Sequence, residues 1–109
     1  MALNHLQSGD IANLLPIGAD AVSSQSVALF KSEQLEVIRL VLPTGRAMPM
    51  HAVPGEITVQ CLEGAIDFET TSGTQRLQAG QLLFLRGGEP HALLGVEDAS
   101  VLVTIVLKP

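Results

Sequence analysis

Aromatic side chains are scarce in this 109-residue chain, which has three Phe, no Tyr and no Trp. A surface that stacks single-stranded bases needs rings that are missing here. Basic charge is equally thin, six Lys and Arg against eleven Asp and Glu for a formal net charge of −5. No cationic face is available to neutralise phosphates, so nucleic acid is not an expected partner. A single cysteine, Cys61, cannot close an internal disulfide. The longest apolar stretch, residues 101–107 with Thr104 inside it, is far shorter than the roughly 20 residues of a membrane-spanning helix, and no membrane partner is expected. The opening MALNHLQSGD lacks the basic start and apolar run of a secretory signal, which makes the cytoplasm the expected location. Charged residues are 16% and hydrophobic ones 47%, so the chain is not composed like a disordered one.

What the chain has instead is a series of short apolar runs. Leu3, Leu6, Ile11, Leu14 and Leu15 recur at roughly helical spacing, interrupted by Ser8-Gly9-Asp10 and stopped by Pro16. This predicts a short helical or irregular arm over residues 1–26. Strand-like runs follow at 27–30, 35–42, 57–62, 65–69, 75–77, 81–85, 91–94 and 101–107. Turn signals separate them at Pro43-Thr44-Gly45, Pro54-Gly55, Glu63-Gly64, Thr71-Ser72-Gly73, Ala79-Gly80, Gly87-Gly88-Glu89-Pro90 and Glu97-Asp98. No gap has room for a crossover helix, which excludes parallel βαβ folds. The prediction is one all-β domain over 27–109, an antiparallel sandwich or barrel that doubles or closes its sheet to protect its edges.

Two segments carry a resemblance. The first runs Gly45, five residues, His51, then Ala52-Val53-Pro54-Gly55-Glu56-Ile57 and on to Gly64. The second runs Gly80, five residues, Arg86-Gly87-Gly88-Glu89-Pro90, His91, three residues, Gly95. Together they resemble the two motifs of the cupin superfamily, small single-domain RmlC-like proteins of the cupin_2 kind. The resemblance implies an antiparallel double-stranded β-helix, the jelly-roll barrel. It also implies a divalent transition metal, zinc, iron, manganese or nickel, held inside by two His and a Glu of the first motif and a His of the second. Position by position those ligands fall on His51, Val53, Ile57 and His91, so the first motif is degenerate. Glu56 stands one residue short of the family spacing. On a regular strand it faces away from His51, and a bulge at Pro54-Gly55 is what would turn it back.

The site expected from this is an interior pocket of His51, Val53, Ile57, Val59, Cys61 and His91, with Met48 and Met50 at its mouth. His51 and His91 are the metal candidates, with Glu56 as a third. The function expected is binding of a small molecule in the barrel, with a weak or degenerate metal site and no cofactor otherwise. The alternative is a metal-dependent oxygenase or isomerase using His51 and His91. Small cupins commonly pair, and a positive mean hydropathy of +0.38, an apolar arm and the outward parity of Leu62 add to the expectation of a symmetric homodimer.

Overall fold

The computed structural model describes residues 5–18 and 24–108. Seven strands follow one another, β1 (Val27–Lys31), β2 (Leu35–Leu42), β3 (Ala47–His51), β4 (Ile57–Thr70), β5 (Gly73–Gln78), β6 (Leu82–Leu85) and β7 (His91–Val106). Every pairing is antiparallel. The described residues contain no helix, so none is long and apolar enough to cross a membrane.

The two long strands organise the rest. The first part of β4, residues 57–60, pairs β6 on one side and residues 102–105 of β7 on the other, and β7 there also pairs β2, which pairs β1. The second part of β4, residues 65–70, pairs β5 and residues 91–97 of β7, whose outer neighbour is β3. The register slips between Cys61 and Ile66, where β4 and β7 bend together from one sheet into the other. Two sheets of the order β1-β2-β7-β4-β6 and β3-β7-β4-β5 are thus cut from one continuous ladder. Their inner faces meet over Leu42, Ile57, Val59, Cys61, Ile66, Phe68, Leu77, Leu85, Leu93, Ala99, Val101 and Val103. This is the expected jelly-roll sandwich, folded from bent strands.

Two expectations change. Glu63-Gly64 and Glu97-Asp98 are not turns but positions inside β4 and β7. Gly64 has φ +71°, and a Cβ there would overlap the carbonyls of Asp98 and Glu97, so it is the residue that lets the two strands bend in contact. A strand, β3, stands where a loop into His51 was expected. Its Pro49 has no N–H to give a ladder, and its side chains are mostly exposed, so neither alternation nor composition betrays it. An edge position tolerates both features. The arm takes the irregular of its two expected forms over residues 5–18. Its one ordered turn is closed by the Asp10 carboxylate, which accepts from the Gln7 N–H at 2.8 Å. Leu3 lies outside the described residues.

The arm is held to the barrel by a charge that the sequence hides. Arg39, a lone cation in an apolar strand, donates to Glu63 Oε2 at 3.0 Å, to Ser100 Oγ at 3.0 Å and to the Leu15 carbonyl at 2.6 Å. Glu63 also accepts from Ser100 Oγ at 2.6 Å and from the N–H groups of Ile17 and Gly18 at 2.9 Å. Burial pushes the Glu63 carboxyl up, yet the donors Gly18, Ser100 and Ile17 and the charge of Arg39 outweigh it and hold the group below the usual range. One salt-bridged carboxylate therefore caps two backbone donors of the arm.

Candidate functional site

The interior holds a cavity of about 90 Å³. Ile38 and Leu40 of β2 form one wall, Met48 and His51 of β3 another, and Val53, Ile57 and Val59 a third. His91, Leu93, Val103 and Ile105 of β7 complete it. The spacing explains the lining. Residues two apart on a strand share a face, so Ile38 with Leu40, Ile57 with Val59, His91 with Leu93 and Val103 with Ile105 all turn inward together. The two imidazoles are the sole polar side chains in this wall.

His51 and His91 are direct cross-strand partners, with ring centroids 4.4 Å apart and planes inclined by 54°. Each is oriented by its own backbone. His51 Nδ1 lies 3.0 Å from the Pro49 carbonyl and His91 Nδ1 3.0 Å from the Glu89 carbonyl, in both cases two residues back. A carbonyl oxygen only accepts, so both Nδ1 atoms carry the proton, and in the neutral rings both Nε2 atoms present a lone pair. His91 is further fixed by Phe68, whose ring lies parallel to it at 5.6 Å and 4°. Among the described residues no buried side-chain nitrogen or oxygen lacks a partner. Since His91 Nε2 has none and His91 is 3% exposed, that nitrogen opens onto the cavity. His51 sits at the solvent end, exposed.

The cavity gathers six of the residues singled out in the sequence: Met48, His51, Val53, Ile57, Val59 and His91. Met50 stands outside it, 46% exposed, beside a surface groove with Pro49, Leu94 and Glu69. Cys61 is buried in the core beyond the cavity, and its thiol donates to the Glu63 carbonyl at 3.3 Å. Burial, only partly offset by that bond, raises its pKa, the profile of a packing residue rather than a nucleophile. Glu56 is exposed and contributes its carbonyl to Val106. Arg86 reaches Glu89 at 3.8 Å on the surface, away from the cavity. The wall residues Ile38, Leu40, Leu93, Val103 and Ile105 were not singled out, although the alternation of their strands carries the signal.

The family's metal centre does not fit this donor set. Val53 and Ile57 line the cavity where an imidazole and a carboxylate would be needed, and no three His, Cys, Asp or Glu among the described residues come together. Structural zinc takes four protein ligands and catalytic zinc three. What remains is an apolar chamber with two neighbouring imidazoles in its lining.

No family model matches the chain, and no curated protein sequence matches it. Solved structures do. A conserved protein of unknown function, SPY1581 from Streptococcus pyogenes, is 24% identical, with 100% of this chain and 99% of that one covered at a TM-score of 0.75. A cupin superfamily protein, DSY2733 from Desulfitobacterium hafniense, is 16% identical, with 99% and 100% covered at a TM-score of 0.77. The DMSP lyase DddQ from Ruegeria pomeroyi is 25% identical over 83% of this chain and 50% of its own, at a TM-score of 0.69.

Proposed function

From a chain that has the fold of a small cupin domain, we propose a binding protein whose barrel interior takes a small, largely apolar molecule bearing a hydrogen-bond donor. The observation that carries this is an apolar cavity in which two neighbouring imidazoles, each with its Nδ1 held by a backbone carbonyl, are the polar side chains of the lining. Small-molecule sites are mostly apolar with a few placed polar groups that fix orientation. Size limits the ligand. A cavity of about 150 Å³ accepts benzene, and this one, at about 90 Å³, suits a smaller group or the inserted end of a larger molecule.

The test uses two probes of one shape. Pyrrole carries a ring N–H and furan, its isostere, carries none. Titrated against the protein and followed by the carbon-bound imidazole protons in NMR, pyrrole is expected to shift both His51 and His91 with millimolar affinity. Furan is expected to bind about tenfold more weakly, the worth of one net hydrogen bond. Equal affinities would mean that the imidazoles do not orient the ligand.

A metal-dependent oxygenase or isomerase using His51 and His91 is the second reading, supported only in that one protein of similar fold, the DMSP lyase DddQ, is an enzyme. Val53 and Ile57 count against it. Close to one iron, manganese, nickel or zinc per chain in protein purified without added metal would favour the enzyme over the binding protein.

The assembly proposed is a symmetric homodimer through the outer face of the β6-β4-β7-β2 sheet. Cross-strand rows there read Leu82, Gln60, Leu102, Arg39 and Phe84, Thr58, Thr104, Val37. Leu82 and Phe84 are 64% and 62% exposed. Arg39 is buried, bonded to the arm at the Leu15 carbonyl and paired with Glu63, so the open part of this face is the apolar edge at Leu82 and Phe84.

A further inference from the structure

We propose that the outer face of the β3-β7-β4-β5 sheet binds a small organic ammonium ion, a primary amine on an apolar body, in a groove whose anionic end is Glu69. This groove is a second site, distinct from the barrel cavity. It encloses about 580 Å³ against about 90 Å³ inside, within the roughly 300 to 1,000 Å³ of small-molecule sites. Met48 and Leu93 line both spaces, so the β3-β7 ladder is the partition between them.

A bulge builds the groove. Met48 pairs Leu93 and His51 pairs His91, so Pro49 and Met50 together oppose Ala92. Met48 and His51 are three residues apart and on a regular strand would point to opposite faces. The extra residue returns His51 to the cavity and leaves Met50, the methionine expected at the pocket mouth, in the groove. Ala92 in turn pairs Glu69, and Glu69 pairs Thr74. One row thus crosses four strands, with the small side chain of Ala92 between a thioether and a carboxylate. Those two ends stand two strand spacings apart, about 10 Å. Met50 and Leu94, 46% and 40% exposed, give the groove its open apolar wall.

Charge selects the ligand. Asp67 is tied to Arg76 at 2.7 Å, whereas Glu69 forms no ion pair among the described residues. No Lys or Arg lines the groove, and the chain has a net charge of −5, so the local field favours a cation. No aromatic ring lines it either, and aromatic faces are what hold quaternary ammonium ions. The cation that fits has N–H bonds to donate to the Glu69 carboxylate. Its apolar body lies over Ala92 against Met50, whose flexible thioether adapts to the shape it meets.

Hexylamine, protonated at pH 7, is the probe. Hexanol is its uncharged counterpart, and hexyltrimethylammonium is the same cation without N–H. In NMR titrations hexylammonium is expected to bind with millimolar affinity and to give intermolecular NOEs to the Met50 and Thr74 methyls. Hexanol and the quaternary ion should each bind at least about threefold more weakly, the worth of an exposed charge pair. Glu69→Gln should lower hexylammonium to the affinity of hexanol and leave hexanol unchanged. Glu33→Gln, at the exposed Lys108 pair, should change neither. Both glutamates are exposed, and circular dichroism checks that each variant is folded. Wild-type hexylammonium affinity in Glu69→Gln, or equal binding of amine and alcohol, would overturn the inference. NOEs to the His51 and His91 ring protons in place of Met50 and Thr74 would put the amine in the cavity and overturn the groove alone. The pyrrole titration tests the cavity independently, so the failure of one site is distinguishable from the failure of the other.

Discussion

Glu63 is expected to matter far more to this fold than its place between Leu62 and Gly64 suggests. Its carboxylate takes an arginine, a serine hydroxyl and two backbone N–H groups of the arm, and the side chains of Arg39 and Glu63 are 11% and 14% exposed. Glu63→Ala leaves the guanidinium with Ser100 and the Leu15 carbonyl but no counter-charge, and it leaves two arm N–H groups without an acceptor. Breaking a buried pair from one side costs about 3 to 5 kcal/mol. That is a large share of the roughly 5 to 15 kcal/mol that holds a domain together. The contrast is Glu33→Ala, which removes the exposed Lys108 pair at 2.6 Å and should cost no more than about 0.5 kcal/mol. Arg39→Met with Glu63→Leu removes both charges and should recover at least about 1 kcal/mol relative to the worse single variant. Urea unfolding followed by far-ultraviolet circular dichroism is the assay, since the chain has no Trp or Tyr to report by fluorescence. Hydrogen exchange at Ile17 and Gly18 should quicken in Glu63→Ala. A cost below about 1 kcal/mol, with unchanged exchange at both amides, would show that the arm is not clamped as described.

Acidification should expose the same group. Its carboxyl is held below the usual range, so the stability it contributes is present above the ordinary glutamate range and is lost as the pH falls through the lowered folded value. Urea midpoints of wild type and Glu63→Gln should therefore converge below about pH 4 and differ at pH 7; parallel curves would refute it. Val53→His with Ile57→Glu restores the family's donor set in a cavity that already holds two imidazoles, and zinc(II) affinity should rise by several orders of magnitude. Calorimetry showing no gain in a folded double variant would mean those two positions do not converge on His51 and His91. Phe84→Glu should halve the mass measured by light scattering, from about twice 11.5 kDa to 11.5 kDa; a wild-type mass near 11.5 kDa would remove the dimer.

Much of the barrel was legible because its turns are local. Thr71-Ser72-Gly73 and Ala79-Gly80 each separate the strands they were expected to separate. His51 and His91 were legible as a pair through their motifs, and the register now places them opposite each other. The failures are of long-range origin. Gly64 has the local signature of a turn, and only the approach of Asp98, thirty-four residues away, makes it a bulge inside one strand. β3 is hidden because an edge strand with Pro49 need not alternate. The Glu63 clamp spans 46 residues to Ile17, beyond any local pattern. Arg39 gave the one available sign, a cation among apolar neighbours, which demands a buried anion somewhere.

The most direct test of the account is a crystal structure of the wild-type protein soaked with pyrrole. The account predicts one pyrrole in the cavity between β3 and β7, its ring against Ile38, Leu40 and Val103, with its nitrogen about 3 Å from Nε2 of His51 or His91 and both Nδ1 atoms still on the Pro49 and Glu89 carbonyls. A chamber closed by its own side chains, or pyrrole found only elsewhere, would contradict it.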